Sequence, residues 1–330
     1  MKRIFAMLVL LVTVLAVTGC GANSLADYKK ALDKTDQITK GQSSGEFAVT
    51  MDFNTDGMTQ AEINELNYYK DMSGNFKKTF DSSENQRVCR NYINMGGLGF
   101  DIDIFKNGEE MFIKLPIIGK YMKLDEMIKE IKETPEEKPN FVSDDTLEAI
   151  GEAWVGMLKE EDIFKGKDIV LTTPDGEVKT TVYTITLNDV QIKAFAEKAI
   201  SILSEDEALR SNIEDLLAKN ADQTELLDFD ELVDKIKEYM EKDSIDNFQY
   251  TAYVDIDGYI VNEVIEVEIT KVAKKAGEPK EISFLLELKN FDINKDQKIE
   301  FPVLTEENTL KTDELGQTMP SLFKNMFQTQ

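Results

Sequence analysis

Paired carboxylates are the first residues in this chain whose spacing could support chemistry. Asp101 and Asp103 lie two positions apart in a segment that alternates apolar and polar residues, so both project from one face of a strand. Two neighbouring carboxylates can act as general acid and general base. Because Phe100 and Ile102 fill the alternate positions, we expect the apolar side chains to face the core and the two carboxylates to face solvent.

A second acidic motif, Asp292-x-Asn294-x-Asp296, has the spacing of the first ligands of an EF-hand calcium loop. That loop requires glycine at its sixth position and a bidentate glutamate at its twelfth. Gln297 and Val303 occupy those positions here, and the flanking segments are strand-like rather than helical. We therefore interpret the motif as a turn and predict no metal site.

No histidine occurs anywhere in the 330 residues. Its absence removes the commonest general base, the commonest zinc ligand and every Ser-His or Cys-His nucleophile. We predict that the protein has no catalytic residues and no cofactor, and that it is not an enzyme. A hydrolase that works through carboxylates alone is the remaining enzymatic alternative.

The first twenty residues have the features of an export signal. Two basic residues precede an apolar run over residues 4–17, and small residues follow, an order typical of a secretory signal peptide. The run is short for a membrane span of about 20 residues, which is the alternative interpretation. Residues Val17–Cys20 resemble the lipobox of bacterial lipoproteins, which implies a diacylglyceryl group on the Cys20 sulfur and cleavage before it. We predict a signal peptide over residues 1–19 and a protein anchored by lipid at the extracytoplasmic face of the cell membrane.

Composition restricts the partners of the remaining chain. The formal net charge is −25, and removal of residues 1–19, which carry Lys2 and Arg3 and no acidic residue, would leave −27. Phosphate contacts need clustered basic residues, so we predict no nucleic-acid partner. Anionic headgroups would repel such a body, so the lipid on Cys20 should provide the membrane attachment. Cys89 is the only other cysteine, and its strand-like surroundings favour an inert thiol.

Periodicity assigns the elements that must position these residues. Apolar residues at three- to four-residue steps predict helices over residues 25–38, 144–158, 188–202 and 224–242. Asp144 or Asp145 is the predicted cap of the second helix, and Asn188 that of the third. Strict alternation predicts strands over residues 46–53, 98–105, 111–115, 167–173, 178–187, 248–256, 259–269, 282–288 and 298–301. Turn signals lie at Asn107-Gly108, Pro174-Asp175-Gly176 and Asp257-Gly258.

These hairpins indicate an antiparallel sheet, and helices covering one face of it indicate an α+β fold. We predict one domain over residues 25–305, with a curved antiparallel sheet of about 11 strands whose concave face is covered by helices. A lipidated tether over residues 20–24 should precede it, and a polar tail over residues 306–330 should follow it. We interpret the charged, proline-containing stretch 126–142 as a linker or a lid loop.

This order of elements, on a lipidated protein, resembles that of the LolA-like and LppX-like lipoprotein-carrier superfamily. The most specific match is Leu288–Pro302, which resembles the closing segment of the family: a strand, a turn with an aromatic residue and aspartate, and a short apolar strand before proline. In topology the resemblance covers nearly the whole mature chain, but in sequence only its last third. It implies an unclosed β-barrel with helices over its concave face and, as in several members, acyl chains held inside.

A half-barrel exposes large apolar residues on its concave face, which helices or a ligand must fill. The residues expected to line an apolar ligand cavity are Phe47, Met51, Phe53, Phe100, Ile102, Met111, Ile113, Trp154 and Phe195. An ordinary packed core would show the same periodicity. The leading hypothesis is therefore a carrier or binder of a lipid or another apolar molecule. The alternative is a structural or regulatory envelope lipoprotein that acts through a protein partner.

The lipid anchor gives the first testable prediction. Cys20→Ser should leave the protein unlipidated, because a serine hydroxyl cannot replace the thiol in diacylglyceryl transfer. Cell fractionation with labelled palmitate measures the effect, with Cys89→Ser as the matched control. A Cys20→Ser protein that still incorporates palmitate at the level of the control would contradict the lipobox interpretation.

Overall fold

The structure is a computed structural model that describes residues 23–116, 119–123, 142–219 and 228–310. The described residues form one sheet of 11 strands and six α-helices. The helices are α1 (Ser24–Asp36), α2 (Gln60–Lys70), α3 (Asp144–Met157), α4 (Asp189–Ser204), α5 (Glu207–Lys219) and α6 (Phe229–Lys242). The strands are β1 (Lys40–Phe53), β2 (Asp71–Asp81), β3 (Gln86–Met95), β4 (Leu98–Asn107), β5 (Glu110–Leu115), β6 (Lys120–Lys123), β7 (Ile163–Thr173), β8 (Gly176–Thr186), β9 (Ser244–Asp255), β10 (Ile260–Thr270) and β11 (Pro279–Phe291).

The strand order is β6-β5-β4-β3-β2-β1-β11-β10-β9-β8-β7, and every pair of neighbours is antiparallel. Strands β1–β6 make one half of the sheet in simple succession, and β7–β11 make the other. The two halves join where β1 pairs with β11. Strands β6 and β7 remain at the two edges, so the sheet does not close into a barrel. The predicted α+β fold with an antiparallel sheet of about 11 strands is confirmed.

Turns and caps account for several boundaries that the sequence predicts. Gly108 and Gly258 both adopt positive φ, 61° and 86°, which permits the tight turns after β4 and β9. Asn188 caps α4 as predicted, because its side chain accepts a hydrogen bond from the Gln191 backbone nitrogen at 3.0 Å. The predicted cap of α3 is wrong. Ser143, rather than Asp144 or Asp145, caps that helix.

The structure has two helices, α2 and α5, and three strands, β2, β3 and β6, that have no range in the prediction. Helix α2 is absent from it, because this helix buries none of its residues and so lacks an apolar stripe; the capping box of Thr59 and Glu62 begins it. The predicted strand over residues 298–301 is wrong. Asp292 and Asn294 adopt positive φ, 49° and 56°, which turns the chain out of the sheet after β11.

The C-terminal end of the described chain returns to the edge of the sheet. The Leu310 backbone nitrogen donates to the Tyr121 carbonyl oxygen of β6 at 2.7 Å, and Leu310 is buried. Ordered packing therefore passes the predicted domain boundary at residue 305. The rest of the predicted tail, over residues 311–330, lies outside the described residues.

The main core lies between the helices and one half of the sheet. Helices α1, α3 and α4 pack together over the strands β7–β10. The buried members of this core are Tyr28, Ala31, Leu158, Ile163, Tyr183, Ile185, Leu187, Ile192, Phe248, Tyr250, Ala252, Val254 and Ile260. Each large apolar side chain that is fully buried contributes about 1.5–3 kcal/mol. The core thus fixes the helix layer on β7–β10.

A buried carboxylate ties α3 to α5. Asp206, which is 5% exposed, accepts hydrogen bonds from the backbone nitrogens of Ser143 and Leu209, both at 2.8 Å. Burial alone would raise the pKa of this carboxyl, but the hydrogen bonds from Leu209 and Ser143 hold it far below its ordinary value. One side chain therefore satisfies donors at the start of both helices.

We expect Asp206→Asn to lower the free energy of unfolding at neutral pH by about 1–3 kcal/mol, because the amide nitrogen cannot accept the second backbone bond. The folded-state pKa is lowered, so this stability is present above about pH 3.9 and is lost as the pH falls further. Urea titrations at successively lower pH should therefore show that the free energies of unfolding of the natural protein and of Asp206→Asn converge. Asp228→Asn is the control, since it keeps a good cap on the exposed start of α6. Equal losses in both variants would contradict the assignment.

Candidate functional site

A cavity of about 860 Å³ lies between the helix layer and the sheet. Ligand sites in proteins typically enclose about 300–1,000 Å³. Helices α1, α3 and α4 and strands β9 and β10 form its walls. The lining residues are Tyr28, Leu32, Asp33, Asp36, Leu147, Glu148, Ile150, Gly151, Glu152, Trp154, Val155, Ile192, Phe195, Phe248, Tyr250, Glu263 and Ile265.

Trp154 of α3 organises the aromatic part of the wall. Its ring centroid lies 5.4 Å from that of Phe195, 6.0 Å from that of Phe248 and 5.9 Å from that of Tyr250. These separations and the inclined rings are typical of favourable aromatic pairs. Trp154 therefore joins α3 to α4 and to β9, and it gives the cavity a rigid apolar side.

Polar groups extend from this aromatic wall into the cavity lining. The Trp154 Nε1 donates to the Tyr28 hydroxyl at 3.1 Å, the Tyr28 and Tyr250 hydroxyls are hydrogen-bonded, and the Tyr250 hydroxyl donates to Glu263. Burial raises the pKa of Tyr28 and of Glu263. Burial, followed by the charge of Glu263, raises the pKa of Tyr250. The row of hydrogen bonds thus leads from the indole to a carboxyl group held in apolar surroundings.

The mouth of the cavity is acidic. Asp33 and Asp36 project from α1, and Glu148 and Glu152 are exposed on α3. Burial, together with the charge of Asp33, raises the pKa of Asp36. Among the described residues that line the cavity, none is lysine or arginine.

Two of the nine residues predicted to line a cavity, Trp154 and Phe195, do line this one. The others, Phe47, Met51, Phe53, Phe100, Ile102, Met111 and Ile113, lie on β1, β4 and β5, in the other half of the sheet. The register shows the reason for the difference. Phe47 pairs with Leu286, which pairs with Ile265, so Phe47 shares the face that lines the cavity. The helices, however, cover that face on β7–β10, and a ligand role for the seven stays a prediction.

The sequence interpretation missed Tyr28, Tyr250 and Glu263. Glu263 occupies an inward position of the alternating strand, where Ile265 and Val267 follow at the next inward positions. A carboxylate among inward apolar residues was the available signal, because ionised side chains are rarely buried without a partner.

The other residues with potential chemistry lie elsewhere. Asp101 is exposed and Asp103 partly exposed, on the face of β4 opposite to Phe100. Cys89 is a partly buried free thiol whose pKa is raised by burial. Among the described residues, no three acidic or cysteine side chains are close enough together to hold a metal ion.

The acidic turn after β11 is held by contacts with other residues of the same chain. Asp292 pairs with Lys295 at 3.0 Å, and Asp296 pairs with Lys40. The Asn294 side chain donates to the Tyr259 hydroxyl at 3.2 Å. These contacts agree with the interpretation of the motif as a turn.

The predicted lipid anchor lies outside the described residues. Cys20, the signal peptide over residues 1–19 and the predicted loop up to residue 141 are not among the described residues. None of the helices within the described ranges is long and apolar enough to cross a membrane.

The comparisons with known proteins include a weak structural likeness. A scan of protein-family models and a search of curated proteins find no match. Among solved structures, the chain is similar to a beta-barrel-like protein of domain of unknown function DUF1849 from Brucella abortus. The sequence identity is 11%, the match covers 77% of this chain and 100% of that one, and the TM-score is 0.19. At that score the likeness carries no argument about fold or function, and the carrier resemblance stays a hypothesis.

The partly buried Glu263 gives a prediction about stability. Its folded-state pKa is raised, so the unionised form is favoured and stability is lost as the pH rises through that pKa. Glu263→Gln mimics the unionised form, so it should melt at a higher temperature than the natural protein at about pH 8 and at a similar temperature near pH 4. Exposed Glu266 on the same strand provides the control, and Glu266→Gln should change stability by less than about 0.5 kcal/mol. A destabilised Glu263→Gln variant at about pH 8 would contradict this account.

Proposed function

We propose that the protein is a membrane-anchored bacterial lipoprotein that binds an apolar molecule, such as a lipid, in this cavity. The observation that carries the proposal is the cavity itself, about 860 Å³ in volume, with Trp154, Phe195 and Phe248 in its wall. Its volume lies within the range of ligand sites, and aromatic and aliphatic side chains predominate in such sites. The lipobox-like residues Val17–Cys20 support the anchor.

The position of α1 supports exchange with a membrane. Cys20 precedes the first residue of α1 by four positions, which span at most about 14 Å of extended chain. Glu160 holds that end of α1, because its carboxylate accepts hydrogen bonds from the backbone nitrogens of Ser24 at 2.7 Å and Leu25 at 3.1 Å. The same helix supplies Tyr28 and Leu32 to the cavity. A lipid on Cys20 would therefore keep the cavity within a short distance of the bilayer surface.

Two glycines of α3 allow a matched test of binding. A Cβ atom added at Gly151 or at Gly156 meets no atom within 4 Å, but only Gly151 lines the cavity. Gly151→Leu should fill part of the cavity and weaken uptake of the uncharged fluorophore N-phenylnaphthylamine about tenfold. Gly156→Leu should leave uptake unchanged. Both should stabilise the helix by up to about 1 kcal/mol, so loss of folding cannot explain the difference.

The measurement uses the chain from residue 21 to its end, purified without detergent, with fluorescence titration and native mass spectrometry. Equal uptake by the two variants would locate the fluorophore outside the cavity and contradict the proposal. No uptake by the natural sequence, and no lipid carried through purification, would favour the alternative of an envelope lipoprotein that acts through a protein partner.

A further inference from the structure

The cavity combines three aromatic rings with a carboxyl group. The centroids of Tyr28 and Tyr250 are 5.9 Å apart, as are those of Trp154 and Tyr250, and the Trp154 indole contacts the Tyr28 hydroxyl. Glu263 lies beside them and accepts a hydrogen bond from the Tyr250 hydroxyl. Aromatic faces attract cations through the ring quadrupole, and such groups of rings recognise organic ammonium ions.

One carboxylate oxygen of Glu263 is available to accept a hydrogen bond from a ligand. Its Oε1 accepts the hydrogen bond of Tyr250, and its Oε2 has no hydrogen-bond partner among the described residues. Its cross-strand neighbour on β9 is Ala252, which is fully buried and offers no polar side chain to the carboxylate. A carboxylate in apolar surroundings is unfavourable unless a donor or a positive charge satisfies it.

Nearby basic side chains are engaged elsewhere. Lys34 of α1 donates to the Asp257 carbonyl oxygen and lies 4.3 Å from the Tyr259 ring centroid. Lys165 pairs with Asp27 at 2.6 Å. Neither lysine lines the cavity, so the described chain supplies no cation to Glu263 or to the acidic mouth.

The walls also divide by polarity. All the acidic side chains come from α1, α3 and β10, which also contribute apolar residues, whereas α4 and β9 contribute Ile192, Phe195, Phe248 and Tyr250 and no acidic residue. A molecule with one cationic end and one apolar end fits this division. An anionic lipid would place its headgroup next to like charges, which is unfavourable.

Resting on the proposed function, we infer that the ligand is an apolar molecule with a protonated amine. Its ammonium group lies among Tyr28, Trp154 and Tyr250 and donates to Glu263, and its apolar part lies against Phe195 and Phe248. The carboxylates at the mouth attract the cation and disfavour fatty acids and anionic phospholipids.

Decylamine, decanol and decanoate test this inference, because they share a chain and differ in headgroup charge. Each is titrated against N-phenylnaphthylamine bound to the chain from residue 21 to its end, at neutral pH. The amine should bind about tenfold more tightly than the alcohol, and the alcohol more tightly than the acid. Added salt should weaken binding of the amine alone.

Glu263→Gln should reduce the affinity for decylamine about tenfold, to that of decanol, and change the affinity for decanol by less than about twofold. Asp36→Asn, at an exposed position of α1, should reduce the affinity for decylamine by a smaller factor and leave that for decanol unchanged. This variant replaces Glu263→Gln in the test if Glu263→Gln fails to fold. Equal losses for amine and alcohol would assign Glu263 a structural role only and overturn the inference.

The outcomes separate the two proposals. If decanoate binds as well as decylamine or better, the inference about charge is wrong while the apolar cavity stands. If none of the three compounds displaces the fluorophore, and none binds directly, the proposed function itself fails.

Discussion

An open antiparallel sheet with an apolar face is stabilised where a second layer covers that face, and this constraint governs the architecture. The two halves of the sheet join at β1 and β11, but the helices α1, α3 and α4 pack on the half formed by β7–β10. The cavity lies between these three helices and the strands β9 and β10. The candidate site is therefore a direct result of how the helix layer meets the sheet.

Two carboxylates supply hydrogen bonds that fix the ends of helices in this layer. Asp206 fixes the start of α3 to that of α5, and Glu160 fixes the start of α1. Both use a carboxylate at the positive end of a helix, where the backbone nitrogens lack partners within the helix. The chain has 63 acidic residues, and at these two positions the negative charge stabilises the start of a helix.

Much of the fold follows from short-range signals in the sequence. The hairpins at Gly108 and Gly258 and the cap at Asn188 depend on the conformational preferences of those residues alone, so the sequence predicts them. Helix α2 has no buried face, and the sequence therefore contains no periodic signal for it. The candidate site is harder to predict. Phe100 on β4 and Tyr250 on β9 have the same alternating context, and only tertiary packing decides which half of the sheet the helices cover.

The pairing of β1 with β11 also constrains how the molecule is made. Gln42 lies opposite Phe291, so two central strands of the sheet come from opposite ends of the described chain. Closing so long a loop delays folding, because chain entropy is lost before the stabilising contacts between the two strands have formed. Strand β1 cannot complete its pairing until nearly the whole polypeptide has been synthesised. A nascent chain of this topology stays unfolded for longer, which is the condition that the proposed export through a membrane channel would require.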